Sequence, residues 1–395
     1  MFWQCCRYNY IAVSACKEYP AADQFAIPAI GHVEISVDGN EVSLQKIDVV
    51  NKKAVKYAVS AALAVVLLYL SFRGVKWDEF MSALKCCHWW WVVAAMLAGV
   101  ASFWFRALRW KGLLAPIDSS TSSKTVFNAV NIGLFTNLIL PRVGEFIRCG
   151  VITRNSASSE DGKQHQASYD KVLGTVVMER SWDVLTLILI LCTVMVTMWS
   201  RFGGFVEEKI LQPFAGRFNA DVWWLFAGLV LLCVAGVLAV WKLRNRSKVI
   251  SALFGFVKGL WQGVVSCFRM KRRWVFLIYT ALIWLMYWLM SWTILRSLSG
   301  VDVSALSLDF SAAVSRLSEL GPSDALFLML VGSLSSLVPV PGGFGAFHYI
   351  VATALASVYG IPFPVGIIFA TLSHESQTIA VLLCGAGSYV SESMS

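Results

Sequence analysis

The sequence predicts an all-α polytopic membrane protein with about six full spans and two re-entrant helical hairpins arranged in an inverted repeat. Of the 395 residues, 57% are hydrophobic and only 14% are charged, whereas a soluble domain has about 25% charged residues. Apolar stretches of about 20 residues, the length that crosses a bilayer core, recur along the chain. Two further apolar stretches are shorter and are interrupted by Pro and Gly around Pro141 and Pro341.

The composition also limits the partners that we expect. The 17 Trp fit a chain in contact with membrane interfaces. The formal charge of +9 is typical of basic cytoplasmic loops, so we expect no nucleic-acid partner. The ten Cys are scattered, without a C-x-x-C motif or a Cys/His cluster at ligand spacing. We therefore expect no disulfide framework, no metal site and no cofactor.

Residues 1–50 differ from the rest of the chain because they are mixed and weakly polar. This composition predicts a weakly ordered cytoplasmic leader, with a possible short strand at residues 32–38 before Gly39 and Asn40. No apolar core of sufficient length follows Arg7, so we expect no signal peptide.

Residues 51–388 form the predicted transmembrane domain, which is followed by a short tail at 389–395. Amphipathic segments at about 77–84 and 246–270 are expected to lie at the membrane interface. The six full spans are predicted at residues 54–72, 89–108, 172–199, 222–241, 274–295 and 363–383, and the hairpins at 126–152 and 325–358.

The distribution of Lys and Arg orients these spans, since cytoplasmic loops are enriched in both residues. Residues 242–273 contain nine Lys and Arg and no acidic residue, so this loop is expected inside the cell. The loops at 201–221 and 296–324 are balanced or acidic and are expected outside. Both termini are then cytoplasmic, in a protein of the cell membrane.

Two parts of the domain repeat the same order of elements. Each of the stretches 89–200 and 274–386 contains a helix, a broken hairpin and a second helix, and the predicted topology runs them in opposite directions. Paired interruptions of this kind indicate the substrate site of a transporter. The alternative is that each hairpin is two kinked spanning helices, which changes the helix count and keeps both termini inside.

The first hairpin contains Arg142, Glu145 and Arg148, which are spaced three residues apart. On one helix they would follow one side, with Glu145 between the two cations. Guanidinium groups match a phosphodiester in a forked geometry, so we interpret these residues as an anion-binding platform. A structural ion-pair network is the alternative.

Glu179, Arg180 and Asp183 follow in the first three turns of the next span and can all face the bundle interior. Asp183 lies about 16 Å along the helix axis from residue 172, near the membrane midplane. Its candidate partners are Arg142 and Arg148. We interpret Glu179, Arg180 and Asp183 as the opposite wall of the same cavity, with a purely structural network as the alternative.

In the second hairpin, Gly342, Gly343 and Gly345 permit close backbone approach. The helix N-terminus that follows them offers N–H donors to an anion, and His348 lies in its first turn. His348 and His374 are single histidines for which a packing role competes with a binding role. The chain contains no G-x-S-x-G, H-E-x-x-H or phosphate-binding-loop motif, so we expect no enzyme.

Four blocks of sequence resemble a known family. They are R-A-L-R-W at 106–110, N-L-I-L-P-R-V-G-E-F-I-R at 137–148, G-T-V-V-M-E-R-S-W-D at 174–183 and P-G-G-F-G at 341–345. Together they resemble the flippase-like family built on the transmembrane region of lysylphosphatidylglycerol synthases, over residues 54–385. One departure is His348, since many relatives have an acidic residue three positions beyond the last glycine.

The resemblance implies movement of phospholipids or lipid-linked intermediates between leaflets. In that family the synthase activity belongs to a soluble domain that follows the membrane part, and this chain stops about ten residues after its last span. We therefore expect lipid translocation, with a membrane phospholipid of anionic or zwitterionic head group as partner. The alternatives are a membrane enzyme, or subunit, for head-group modification such as aminoacyl transfer to phosphatidylglycerol, and a lipid-binding scaffold. A separately encoded transferase or a second copy of the chain are further possible partners.

Overall fold

The computed structural model describes residues 37–38, 41–42, 47–157, 167–197, 272–301 and 307–394. The predicted span at 222–241, the interfacial helix at 246–270 and nearly all of the basic loop at 242–273 lie outside the described residues. The chain divides into two compact units, residues 1–59 and 60–395.

In the first unit, two short strands are described before the helix. Strands β1 (Val37–Asp38) and β2 (Glu41–Val42) pair antiparallel, so the predicted strand is correct at its end. Helix α1 (Ile47–Phe72) begins seven residues before the predicted span and runs on into the second unit.

The described residues of the second unit are helical, which confirms the predicted all-α class. After α1, the described residues form ten helices and one short 3-10 turn, and helix α8 among them was not predicted. They are α2 (Trp77–Cys86), α3 (Trp89–Leu114), α4 (Ser123–Ile139), α5 (Gly144–Ala157), α6 (Tyr169–Thr197), α7 (Arg273–Ser297), α8 (Leu308–Ser318), α9 (Pro322–Ser335), the 3-10 turn (Pro341–Gly343), α10 (Ala346–Tyr359) and α11 (Phe363–Ser393).

Four described helices, α3, α6, α7 and α11, are long and apolar enough to cross a membrane. Two bent pairs raise the number to six if each pair is one span. The first joins Tyr57–Phe72 to Trp77–Cys86 at 86°, and the second joins Phe310–Ser318 to Pro322–Ser335 at 101°. The protein is thus a polytopic membrane protein.

The helix contacts follow the order that a two-fold repeat requires. Helix α3 packs against α7, each the first helix of its half, α4 packs against α11, and α9 packs against α6. Within the halves, α5 contacts α6 and α10 contacts α11. Exchanging one half for the other preserves these pairs, and the opposite direction of the two halves stays a prediction.

Glycine brings the two arms of the first hairpin into backbone contact. A Cβ on Gly144 would lie 1.9 Å from the carbonyl oxygen of Gly133. Asn137 then bridges the arms, because its Oδ1 accepts a hydrogen bond from the Gly144 N–H at 2.8 Å and its Nδ2 donates to Glu145 at 2.9 Å. Asn137 therefore fixes the first turn of α5 and the position of Glu145.

The second hairpin turns through glycines in the left-handed region. Gly342, Gly343 and Gly345 have φ values of 58°, 79° and 76°, a region that side chains disfavour. A Cβ on Gly345 would also lie 2.6 Å from the backbone nitrogen of Leu68 in α1. The start of α10 therefore packs closely against α1.

The tips of the two hairpins meet. The Leu138 side chain lies 3.3 Å from where a Cβ of Gly342 would stand. Arg142 Nη2 lies 3.5 Å from the carbonyl oxygen of Leu337. The breaks around Pro141 and Pro341 are thus adjacent in space.

Candidate functional site

Seven charged side chains gather where α3, α5 and α6 meet, and we call this group the charge cluster. Four arginines and three carboxylates leave one positive charge in surplus. Because charge inside a membrane domain is costly unless paired, such a group indicates either function or a tight structural network. Its members are Arg106 and Arg109 of α3, Glu145 and Arg148 of α5, and Glu179, Arg180 and Asp183 of α6.

Arg109 is the centre of the cluster and has no exposed side-chain surface. Its Nη2 lies 2.7 Å from Asp183 Oδ1 and 3.2 Å from Glu179 Oε1. Its Nη1 donates to the Thr280 hydroxyl of α7 at 3.2 Å, and its guanidinium lies over the Phe276 ring at 5.5 Å. Arg109 thus connects three helices.

Glu179, also fully buried, joins the hairpin to this centre. Its Oε2 lies 2.9 Å from Arg148 Nη1. The Arg148 guanidinium lies 4.6 Å from the centre of the Trp110 ring, and the Trp110 indole N–H donates to Thr175 at 2.9 Å. Arg148 is therefore fixed by an ion pair on one edge and an aromatic face on the other.

Arg106 and Arg180 lie at the more open side of the cluster. Arg106 Nη2 donates to the Tyr287 hydroxyl at 2.8 Å and lies 3.8 Å from Asp183. Arg180, whose side chain is 37% exposed, lies 3.5 Å from Glu145 and 3.4 Å from Asp183. Their contacts with carboxylates, at 3.4–3.8 Å, are longer than those of Arg109, at 2.7 and 3.2 Å, so these ion pairs are the freest to change partner.

A narrow cleft opens beside the cluster, with a volume of about 10 Å³, which is room for about one water molecule. Its charged lining consists of Arg106, Arg148, Arg180 and Glu145, and the rest is the hairpin wall. Among the described residues, Arg148 Nε and Nη2 are buried without a hydrogen-bond partner. The charged lining of the cleft therefore has a net positive charge.

A comparison with known protein families shows which family this chain belongs to. A family model described as the lysylphosphatidylglycerol synthase TM region matches residues 55–385. The chain belongs to this family. No curated protein and no solved structure matches the chain. All four sequence blocks that carry the resemblance lie in the matched region, so the resemblance is confirmed.

In this member of the lysylphosphatidylglycerol synthase TM family, the structure assembles five of the expected site residues. Glu145 and Arg148 of the first hairpin do face Glu179, Arg180 and Asp183 of the next helix. The two predicted walls therefore belong to one cluster. Lipid binding by these residues stays a prediction.

The expectation for Arg142 is wrong in its geometry. Arg142 is exposed and precedes α5, with φ of 65° in the turn of the hairpin. Because the helix begins only at Gly144, Arg142 cannot lie on the same helical side as Arg148 or flank Glu145. The expected pairing of Asp183 with Arg142 and Arg148 is also wrong, since its partners are Arg109, Arg106 and Arg180.

Arg106 and Arg109 were missed as site residues because they follow a long apolar run and resemble loop-flanking cations. Helix α3 continues to Leu114 and buries both side chains, at 8% and 1% exposure. Their i, i+3 spacing places them on one helix side. Acidic residues at 179 and 183 of the neighbouring helix are the sequence signal that could have paired them.

His348 of the second hairpin and His374 of α11 are neighbours. The His348 and His374 rings lie 5.1 Å apart, and both approach Glu375 of α11. The expectation of separate histidines is therefore wrong. The anion site expected at the start of α10 stays a prediction, although α1 covers that helix end at Gly345.

Proposed function

We propose that the protein moves a phospholipid or lipid-linked intermediate with an anionic head group between the leaflets of the cell membrane. The cleft beside the charge cluster carries this proposal. Three arginines and one glutamate line it, and Arg148 presents two donor nitrogens without a hydrogen-bond partner among the described residues. The proposed orientation has both termini in the cytoplasm.

The charge of the cluster suits a phosphodiester. Its surplus of one positive charge would be balanced by the single negative charge of one phosphate group. Guanidinium groups bind phosphate oxygens through paired N–H donors. The acyl chains would stay in the bilayer beside the hairpin, so that only the head group needs a polar route.

Transport rather than static binding is supported by the size of the cleft. The cleft volume of about 10 Å³ is far below the roughly 300 Å³ of small ligand pockets. Entry of a head group therefore requires the first hairpin to move away from α6. The half-exposed contact of Arg180 with Glu145 can open more easily than the fully buried contact of Arg109 with Glu179.

Leaflet exchange in reconstituted vesicles tests this function. Vesicles would carry a trace of fluorescent lipid with a phosphatidylglycerol, phosphatidylethanolamine or neutral diacylglycerol head group, and an impermeant reductant would bleach the outer leaflet. We expect the protein to accelerate loss of the inner-leaflet signal for the phosphate-containing lipids alone. Equal rates with and without protein for every head group would overturn the proposal.

A second function is favoured by the family description, which names a synthase. On this proposal the chain is the membrane part of a system that modifies lipid head groups, and a separate transferase carries the chemistry. Aminoacylated phosphatidylglycerol would then form in membranes that contain the transferase and this chain, and would decline when the chain is removed. Lipid exchange without any transferase distinguishes the first function from the second.

A further inference from the structure

A second polar cluster, separate from the charge-cluster residues, lies at the second hairpin. His348 of α10 and His374 and Glu375 of α11 each direct one potential ligand atom to the same place. The three atoms all lie within 4.8 Å of one another. His348 and His374 are buried, whereas the Glu375 side chain is 38% exposed.

The hydrogen bonding of His374 determines where its proton lies. Its Nε2 is 2.9 Å from the carbonyl oxygen of Gly342. A carbonyl oxygen only accepts hydrogen bonds, so Nε2 carries the hydrogen. In the neutral ring Nδ1 is then a lone pair, and it faces the Glu375 carboxylate at 3.0 Å.

Two acceptors at 3.0 Å repel unless a cation or a proton lies between them. The Thr378 hydroxyl is a further neighbour of Nδ1, at 3.5 Å, which is the limit of a hydrogen bond. His348 adds another nitrogen, Nε2, at 3.7 Å from the same carboxylate oxygen. Its Nδ1 is buried without a hydrogen-bond partner among the described residues.

These distances are close to those of a tetrahedral metal site. Zn²⁺ binds histidine nitrogen at about 2.0–2.1 Å and carboxylate oxygen at about 2.0–2.2 Å, which places neighbouring ligand atoms about 3.3 Å apart. The spacings of 3.0 and 3.7 Å lie on either side of that value. The bond from His374 Nε2 to Gly342 is also the outer contact that orients metal-bound histidines.

We propose that His348, His374 and Glu375 bind one divalent transition-metal ion of the zinc class, with Glu375 at the exposed side. Two nitrogens and one carboxylate leave the fourth position of a tetrahedral ion for water or an anionic group. The Gly342 carbonyl ties the site to the turn of the second hairpin. A bound ion therefore fixes this turn against α11.

Cobalt binding tests the proposal, since four-coordinate Co²⁺ replaces Zn²⁺ and absorbs visible light. The full chain, purified through a tag without histidine and treated with a chelator, would be titrated with CoCl₂ in detergent. We expect a saturable absorption at one Co²⁺ per chain that Zn²⁺ abolishes. A monodisperse wild-type protein with no saturable signal would overturn the proposal, whatever its lipid exchange.

Matched variants assign the signal to the three residues. His374→Gln keeps an amide N–H for the Gly342 carbonyl while it removes Nδ1, and Glu375→Gln removes the negative ligand at nearly constant volume. We expect each to weaken Co²⁺ binding at least tenfold. His88→Gln, at the N-terminus of α3, is the control and should bind like wild type. If His374→Gln and Glu375→Gln bind Co²⁺ as tightly as His88→Gln, the ion binds at another place and the proposed site is refuted.

Discussion

Arg109 and Asp183 are joined through a 2.7 Å contact between Nη2 and Oδ1, although 74 residues separate them in the chain. Arg109 is completely buried at this contact, and the same Nη2 lies 3.2 Å from Glu179 Oε1. One guanidinium thereby pairs with two carboxylates of α6. The packing of α3 against α6 therefore depends on the ion pairs of Arg109 with Glu179 and Asp183.

Removal of Arg109 should destabilise the whole bundle. Arg109→Ala leaves Asp183 without its closest cation and removes one of the cations that pair with Glu179, and breaking a buried pair costs about 3–5 kcal/mol. We expect a clear fall in the melting temperature of the detergent-solubilised protein. Arg316→Ala, a change at an exposed arginine of α8, should melt within error of wild type. An unchanged melt for Arg109→Ala would show that the pair contributes little.

A change from Gly144 to Ala should separate the arms of the first hairpin. The new Cβ would lie 1.9 Å from the Gly133 carbonyl oxygen, so the backbone must shift. We expect a loss of at least about 1–3 kcal/mol in stability. Gly150 of the same helix has nothing within 4 Å of an added Cβ, and Gly150→Ala should be neutral or slightly stabilising. Similar melting of the two variants would contradict the close contact.

Asp118, in the loop between α3 and α4, should contribute stability that depends on pH. It accepts hydrogen bonds from the Ser120 N–H at 2.9 Å, the Thr121 hydroxyl at 2.8 Å and the Ser156 hydroxyl. Burial raises the pKa of this carboxyl, but the hydrogen bonds outweigh that effect and lower the pKa from 3.8 to about 2.

Since the folded pKa of Asp118 lies below the unfolded value, its stabilisation is complete above about pH 4 and is lost as the pH falls through 2. Asp118→Asn should lower the free energy of unfolding by about 2 kcal/mol at pH 7. This difference from wild type should become smaller as the pH falls to 3. Melting curves at both pH values measure this change. Asp78→Asn, at an exposed position of α2, is the control. A deficit of equal size at pH 3 and pH 7 would contradict the assignment.

Arg142 should be dispensable for lipid exchange. It is exposed in the hairpin turn, and its described contact is a 3.5 Å approach to the Leu337 carbonyl. We expect Arg142→Lys to exchange lipid at a rate within twofold of wild type. A loss of exchange rate as large as that of variants in the cleft would indicate that Arg142 does bind the head group.

Much of the fold follows from local properties of the sequence. The long helices were predictable because apolar length alone identifies a membrane span. The turns after α4 and α9 were predictable because Pro and Gly interrupt apolar runs at Pro141 and Pro341. Helix α8 was missed because it is short and lies in a loop assigned by charge, where hydropathy gives no signal.

The site was predictable only in part, because its pairing is tertiary. Acidic residues inside a span identified Glu179 and Asp183, but the expected partners of Asp183 were Arg142 and Arg148 instead of Arg106, Arg109 and Arg180. A span predicted from hydropathy ends where the first cations occur. Arg106 and Arg109 were therefore assigned to the membrane edge. The contact of His348 with His374, 26 positions apart, could not follow from local spacing.

The most direct test of the central proposal is the exchange rate of labelled phosphatidylglycerol for wild type and Arg148→Lys in matched vesicles. Lysine keeps the charge beside Glu179 but loses the Nε and Nη2 donors that the described residues leave unpaired. We predict at least a tenfold slower exchange by variant protein that remains folded and monodisperse, while Lys124→Gln, at an exposed position of α4, exchanges like wild type. Exchange by Arg148→Lys at the wild-type rate would contradict head-group binding in this cleft.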